Sequence, residues 1–312
     1  MSGPLIVDVD TGVDDAIALA FLARRAPELV AVTTVAGNVP IDVSTPNSLK
    51  VLAWLGQSEV PVHRGASRPL AVPYLDAAHV HGENGLGNAD LPDSDRSEAE
   101  DNAIEAILRL ADIYTGELTI LTLGPTTNLA IALNIRPTLI EQIRRVVVMG
   151  GAFFNPGNIR GNAEFNIYAD PHAAQQVFTA GWKEIIALGL DVTHQTVISR
   201  ATWNGIPANA SKPAQLAKLI LERSYTERNL DGFYLHDPLA ALTAIDPEFV
   251  STQRGAIEVT LDGPERGRTV FTEGEGHNLV AVSVRASEAE QTICEALDIA
   301  WVSHHRARKN AE

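Results

Sequence analysis

The sequence predicts an α/β fold: a single domain with a mostly parallel central sheet flanked by helices, its functional site at the C-terminal ends of the strands. Two observations carry this. Short apolar runs rich in β-branched residues recur with helical stretches between them, and most are apolar throughout, as strands buried on both faces are. Most runs then break into turn or polar residues ahead of a helix, and in open α/β sheets ligands bind outside the carboxyl ends of the strands.

Taken in order, residues 5–9 form the first strand, Thr11-Gly12 a turn and residues 16–24 an apolar-periodic helix. Further strands are expected at 29–35, 118–123, 145–149, 184–190, 256–261 and 279–284. The segments 8–12, 37–38, 124–128, 150–151 and 191–194 follow strands and should meet at one end of the sheet. Two polar stretches, near 73–101 and 223–235, read as lid loops over that end. Near the C-terminus, Ser287 and Glu290 have the spacing of a capping box, and Cys294 in that helix reads as packing. No repeat, low-complexity tract or linker divides the chain, so residues 1–312 read as one domain.

With 45% hydrophobic and 20% charged residues, the composition is that of a soluble globular protein. No apolar stretch reaches membrane-spanning length and the N-terminus lacks the marks of a signal peptide, so a cytoplasmic location is expected. Lys and Arg number 24 against 39 Asp and Glu, a net charge of -15. Such a surface repels phosphate backbones and anionic lipids, which argues against nucleic acid and membranes as partners and favours a neutral or cationic small molecule. The single cysteine excludes an intrachain disulfide and a Cys-rich zinc site.

Chemistry concentrates at the start, where Asp8, Asp10, Asp14 and Asp15 fall within eight positions. Strand side chains alternate, so Asp8 and Asp10 share one side of the strand end, while Asp14 and Asp15 open the helix. One acid suffices to cap a helix. Four carboxylates held together repel and call for a cation, and with no zinc-like His or Cys spacing beside them a hard ion, calcium or magnesium, is favoured. Asp237 is a further acid, although Asp237-Pro238 taken alone reads as a helix N-cap, as does Asp170-Pro171. The segment from Gly157 to Asn166 offers amides and carboxylates suited to a polyol and hostile to phosphate, although by composition alone it reads as a surface turn.

In combination these segments resemble a known family. Asp8-Val-Asp10-Thr-Gly-Val-Asp14-Asp15-Ala, Thr33-Thr-Val-Ala-Gly-Asn38, Gly124-Pro-Thr-Thr-Asn128, Ala163-Glu-Phe-Asn166, Leu190-Asp-Val-Thr-His194 and His236-Asp-Pro238 resemble, in order, the inosine-uridine preferring nucleoside hydrolases. The resemblance implies an enzyme that cleaves the N-glycosidic bond of ribonucleosides to free base and ribose. It implies a calcium ion held by Asp10, Asp15, Asp237 and the main-chain carbonyl of Leu123, with Thr126 the alternative donor, and attack of a calcium-bound water whose proton passes to Asp10. Asp14 and Asn166 would bind the ribose 2- and 3-hydroxyls with Asn38 at the same edge, and Asn158 and Glu164 the 5-hydroxyl. His236 would assist the leaving base, while His81 and Arg228 belong with the substrate-binding residues. Asp8 is left to support the loop from behind its ligands.

His79 reads as a loop residue and His194 as a structural hydrogen-bonder. Tyr225, Arg228, Phe233 and Tyr234 depart from the Gln and Tyr pattern of pyrimidine-specific members, which points to a broad or purine-tolerant preference. The family's homodimers or homotetramers are the expected assembly. Two rivals are weighed against this reading. A magnesium-dependent phosphatase of the haloacid dehalogenase type would use Asp8 as nucleophile and Asp10 as acid, but Gly12 stands where that signature has Thr or Val, and Asp14-Asp15 have no place in it. A non-catalytic calcium-dependent nucleoside or ribose binder would not need both Asp10 and His236.

Overall fold

A computed structural model describes residues 3–26 and 28–303; the expected domain ends at 1 and 312 lie outside the described residues. Its eleven strands are β1 (Leu5–Val9), β2 (Leu29–Thr34), β3 (Val62–Arg64), β4 (Thr119–Thr122), β5 (Arg145–Met149), β6 (Ile185–Leu188), β7 (Val197–Ser199), β8 (Gly232–Tyr234), β9 (Val250–Val259), β10 (Thr269–Glu273) and β11 (Asn278–Val284). Nine form one sheet in the order β10-β9-β11-β6-β5-β4-β1-β2-β3. From β3 across to β11 every pairing is parallel. β9 runs antiparallel to both β11 and β10. The expected fold class, a mostly parallel sheet flanked by helices, is the one observed.

The apolar runs lie where both faces are covered. β1, β4, β5 and β6 are buried at every residue. Alternate residues feed two separate cores: Val7, Val9, Leu121 and Val147 face one, with the helices Val13–Arg25 and His236–Ile245, and Ile6, Ile120, Val146 and Val148 face the other. The segment β3-β2-β1-β4-β5-β6 reverses direction of winding between β1 and β4, the topological switch point where open sheets of this kind bind their ligands.

Several expected boundaries shift for local reasons. The first helix is Val13–Arg25 rather than 16–24, because Asp15 Oδ2 accepts the Gly12 N–H at 2.8 Å and starts the helix early. β6 stops at Leu188, and Leu190 opens a short helix, Leu190–Thr193. β9 extends from Val250 rather than 256; its alternating burial conceals it from a search for unbroken apolar runs. The last helix, Ala286–Ala296, begins ahead of Ser287, so there is no capping box. Glu290 instead accepts the Val197 N–H at 2.9 Å and the Trp301 Nε1–H at 3.1 Å, while Cys294 is buried as expected.

The expected loop at 223–235 contains the helix Glu222–Thr226 and the strand β8, which pairs with β7 as a separate two-stranded sheet. Within 73–101 a single helical turn, Ala78–His81, carries His81 into a buried position. No helix among the described residues is long and apolar enough to cross a membrane.

Candidate active site

The N-terminal carboxylates gather at the ends of β1 and the helix Val13–Arg25, and each is tied by a different set of donors. Asp8, inside β1, accepts from Thr33 Oγ1 at 2.6 Å and Asn128 Nδ2 at 2.7 Å. Those partners come from β2 and the helix Thr127–Ile135, on the sheet face opposite the Val7 and Val9 side chains. Burial pushes its carboxyl up to about 7. Asp8 thus ties β1 to β2 and the helix Thr127–Ile135 rather than to the loop and ligands it was expected to support, and it does not line the cavity.

Asp10 accepts the Asn38 main-chain N–H at 2.6 Å and the Asn38 Nδ2–H at 3.1 Å. Asp15 accepts from Gly12 N–H at 2.8 Å, and more weakly from Asp10 N–H and Asn38 Nδ2. Glycines make room for this packing: a Cβ on Gly37 would stand 2.0 Å from Asp10 Oδ2, and one on Gly12 would stand 2.4 Å from His81 Nδ1. His81 in turn accepts the Val13 N–H at Nδ1, 3.1 Å away, which caps the helix start from the turn Ala78–His81. Burial holds its imidazole down to about 4.

Asp237 arrives from the far end of the chain. The helix His236–Ile245 starts one residue before it, so Asp237 sits in the first turn and is not the N-cap that Asp-Pro suggests; Asp170 is such a cap, accepting the Ala173 N–H at 3.1 Å. Carboxylate oxygens of Asp14, Asp15 and Asp237 lie within 4.8 Å of one another, a grouping that could hold a metal ion. It contains Asp14 where the expected ligand set has Asp10, whose oxygens here face Asn38.

The chemistry of this set fits a cation. Asp14 Oδ1 is buried without a hydrogen-bond partner among the described residues, and all three groups are at most 8% exposed. Burial first, and neighbouring carboxylates second, drive the Asp10 and Asp237 carboxyls well above the ordinary carboxylate range. Burial likewise raises Asp14 and Asp15 to about 6. Among the described residues of the cavity wall, Arg228 is the one Lys or Arg. Oxygen donors at this density suit a hard divalent ion.

A cavity of about 360 Å³ opens above the cluster, a size suited to a small molecule. Asp14, Asn38, His81, Leu123, Asn158, Glu164, Asn166, Arg228, His236 and Asp237 all line it, so ten expected site residues from seven separate segments meet there. Asn166 directs its amide at the carbonyls of Leu123, 2.6 Å away, and Met149, 3.2 Å away. The Leu123 carbonyl thus faces Asn166 on the cavity wall, and the Thr126 carbonyl accepts the Ala130 N–H in the first turn of its helix. Glu164 caps the helix Phe165–Ala169: Oε1 accepts from Asn166 N–H, and Oε2 from Ile167 N–H and Gly151 N–H. Burial raises its carboxyl to about 7.

On the opposite wall, His236, His194 and Tyr234 form an aromatic cluster, with ring centroids 4.5 Å apart for His194 and Tyr234 and 5.4 Å for His194 and His236. His194 is thus a cavity-wall ring rather than the hydrogen-bonder expected, and His79 also lines the cavity. Tyr225 is fully buried and donates to the Ile198 carbonyl, so it ties the helix Glu222–Thr226 to β7. Met149, Phe165 and Leu230 supply apolar wall that the sequence does not single out.

A mostly parallel sheet that presents a buried acidic cluster and a cavity of mixed polar and apolar lining at its switch point has the layout of an α/β enzyme for a small molecule. The chain belongs to the inosine-uridine preferring nucleoside hydrolase family, whose model matches residues 5–303. It is 36% identical over 278 residues to uridine nucleosidase 1 of Arabidopsis thaliana, covering 86% of this chain and 82% of that one. It is likewise 36% identical over 273 residues to the inosine-uridine preferring nucleoside hydrolase of Leishmania major, covering 84% and 85%. The solved structure of a purine-preferring ribonucleoside hydrolase from Gardnerella vaginalis superposes with a TM-score of 0.87 at 33% identity, covering 94% of this chain and 98% of that one. Members of this family hydrolyse ribonucleosides, and neither the phosphatase nor the binder reading finds support in these likenesses.

Proposed function

We propose that this chain hydrolyses the N-glycosidic bond of ribonucleosides, yielding free base and ribose, with calcium held by Asp10, Asp15, Asp237 and the Leu123 carbonyl, and Asp14 close by. The observation that carries the reading is that Asp14 and Asp237 of the buried carboxylate cluster line one cavity of nucleoside size together with His236. Calcium in that site would supply a Lewis acid that acidifies and orients water.

The chain's own groups divide the remaining work. Asp10, fixed by two donors from Asn38, takes the proton of the attacking water at a carboxylate oxygen. Asp14 and Asn166 hold the ribose 2- and 3-hydroxyls, and the surrounding carboxylates favour positive charge developing on the sugar as its bond to the base breaks. Asn158 and Glu164 take the 5-hydroxyl. His236 donates to the departing base, which carries away the bonding electron pair. Arg228, His81 and the rings of Tyr234 and His194 flank the base, a donor-rich and aromatic wall that suits a broad or purine-tolerant preference.

A panel of natural nucleosides assayed for ribose release, first with chelator and then with calcium restored, tests the reading. Ribose release that vanishes with chelator and returns with calcium is expected. Phosphate release from sugar phosphates with no ribose from inosine or uridine would overturn it. Assembly as a homodimer or homotetramer belongs to the same proposal, and a sedimentation measurement showing only monomer would remove that part.

A further inference from the structure

The helix Leu190–Thr193 is a single turn, yet it holds both walls of the cavity. Asp191 accepts the N–H groups of Phe153, Phe154 and Asn155 at 2.8, 2.9 and 2.8 Å, which anchors the loop leading to Asn158. Gly189 keeps the anchor tight, since a Cβ there would stand 2.7 Å from Asp191 Oδ2 and 2.8 Å from the Gly151 carbonyl. Two residues beyond Asp191, Thr193 Oγ1 lies 2.7 Å from His236 Nδ1.

Thr193 is 0% exposed, and among the described residues His236 Nδ1 is the only hydrogen-bond partner of its hydroxyl. A hydroxyl carries one proton and, shut away from water, must place it on an acceptor. Nδ1 is the acceptor within reach. A neutral imidazole that accepts at Nδ1 carries its own proton on Nε2. With Nδ1 turned to the buried hydroxyl, the other ring nitrogen is left to the cavity that His236 lines.

We propose that Thr193 is a positioning residue that fixes the tautomer of His236, so that an N–H at Nε2 is presented to the leaving base. The proposal rests on the hydrolase reading above, since the base is what that N–H serves. It also gives the Asp191-Val-Thr-His194 segment a role: one turn sets the ribose-side loop through Asp191 and the base-side donor through Thr193.

The direct test is long-range ¹H–¹⁵N correlation of the calcium-loaded, ¹⁵N-histidine-labelled protein at neutral pH, with His236 assigned by its loss in His236→Gln. Wild type should show the proton on Nε2, and Thr193→Val, of similar shape but without the hydroxyl, should shift His236 toward the Nδ1–H form. In parallel, Thr193→Val should lower kcat about 10-fold or more on inosine and uridine but less than about 3-fold on p-nitrophenyl riboside, whose leaving group needs no donor. Thr193→Ser, which restores the hydroxyl, should recover both tautomer and rate. A wild-type His236 protonated on Nδ1 would overturn the proposal without any variant, and so would equal losses on both substrate types in Thr193→Val. A wild type that releases no ribose from any nucleoside would defeat the hydrolase reading, whereas the tautomer measurement would still report on Thr193 by itself.

Discussion

Asn38 grips Asp10 twice, through its main-chain N–H on Oδ2 at 2.6 Å and its side-chain amide on Oδ1 at 3.1 Å, while the same amide reaches Asp15. The side-chain donor offsets like charge between two buried acids and aims the oxygens of both. Removing it leaves the carboxylates facing each other with one donor fewer. Hydrogen bonds to charged groups contribute about 1.5–3 kcal/mol. Asn38→Ala is therefore expected to lower kcat/KM by about 10-fold or more and to weaken calcium binding, which titration calorimetry measures. Unchanged calcium affinity would show that the amide does not organise the cluster.

Gly37 supplies a purely steric test of the same geometry. Its backbone needs no left-handed conformation, yet an added Cβ would lie 2.0 Å from Asp10 Oδ2 and 2.7 Å from Pro125 Cδ. Gly37→Ala should thus displace the Asp10 carboxylate and abolish most turnover, with a loss of stability of about 1–3 kcal/mol from overpacking. Gly56→Ala is the control for general glycine effects, since none of the described residues lies within 4 Å of a Cβ there, though its φ of +71° carries a backbone cost of its own. Full activity in Gly37→Ala would mean that Asp10 can turn away without loss, and would remove it from the proton-accepting role.

The metal-free protein should become less stable as pH rises from about 5 to about 7. Asp8 and Glu164 are raised to about 7, Asp14 and Asp15 to about 6, and Asp10 and Asp237 are raised as well, burial being the leading cause in each. In that window the unfolded chain has released these protons and the folded chain still binds them, so the stability they favour is full below pH 4 and lost as pH climbs through the folded values. His81, His194 and His236 are lowered by burial and pull the other way below about pH 6.5, but three histidines oppose six carboxyls. Calcium competes with protons for the carboxylates, so the increase in Tm on adding calcium should be larger at pH 7.5 than at pH 5. Scanning calorimetry with chelator and with calcium checks both slopes, and a chelated protein that gains stability from pH 5 to 7 would contradict the account.

What the sequence disclosed about this site follows from which interactions are local. The first motif was legible because strand alternation and a helix start fix Asp8, Asp10, Asp14 and Asp15 within one short segment, and the strands β1, β4 and β5 were legible because double-sided burial leaves unbroken apolar runs. Strands of three residues, β3, β7 and β8, carry no periodicity to detect. Asp237 was readable as a cap from its Pro neighbour, and only the approach of its helix to the β1 end shows otherwise. Thr193 meets His236 across 43 positions, and nothing in either neighbourhood announces the pairing. The cavity wall of Tyr234, His194 and Arg228 is likewise a product of tertiary packing, so its residues were visible in the sequence while their shared surface was not.

Glu164 offers the sharpest test of how the sugar is read. Its Oε2 accepts two backbone N–H groups, but among the described residues Oε1 accepts one, from Asn166, so Oε1 keeps a lone pair for a ligand in the cavity that Glu164 lines. A 5-hydroxyl can donate to that oxygen; a 5-phosphate, having no proton to offer and a like charge, meets a buried carboxylate in a chain of net charge -15. A hydrogen bond to a charged acceptor at about 1.5–3 kcal/mol corresponds to roughly 10- to 150-fold in rate or affinity. At pH 8, above the value near 7 to which burial raises Glu164, wild type should therefore favour uridine over 5-deoxyuridine by about that ratio in kcat/KM and leave uridine 5-phosphate untouched. In Glu164→Gln the preference should fall to a few-fold, because the amide oxygen is held by the helix N–H groups and the amide N–H cannot accept. An unaltered ratio would mean that the 5-hydroxyl is read elsewhere, with Asn158 on the cavity rim the next residue to substitute.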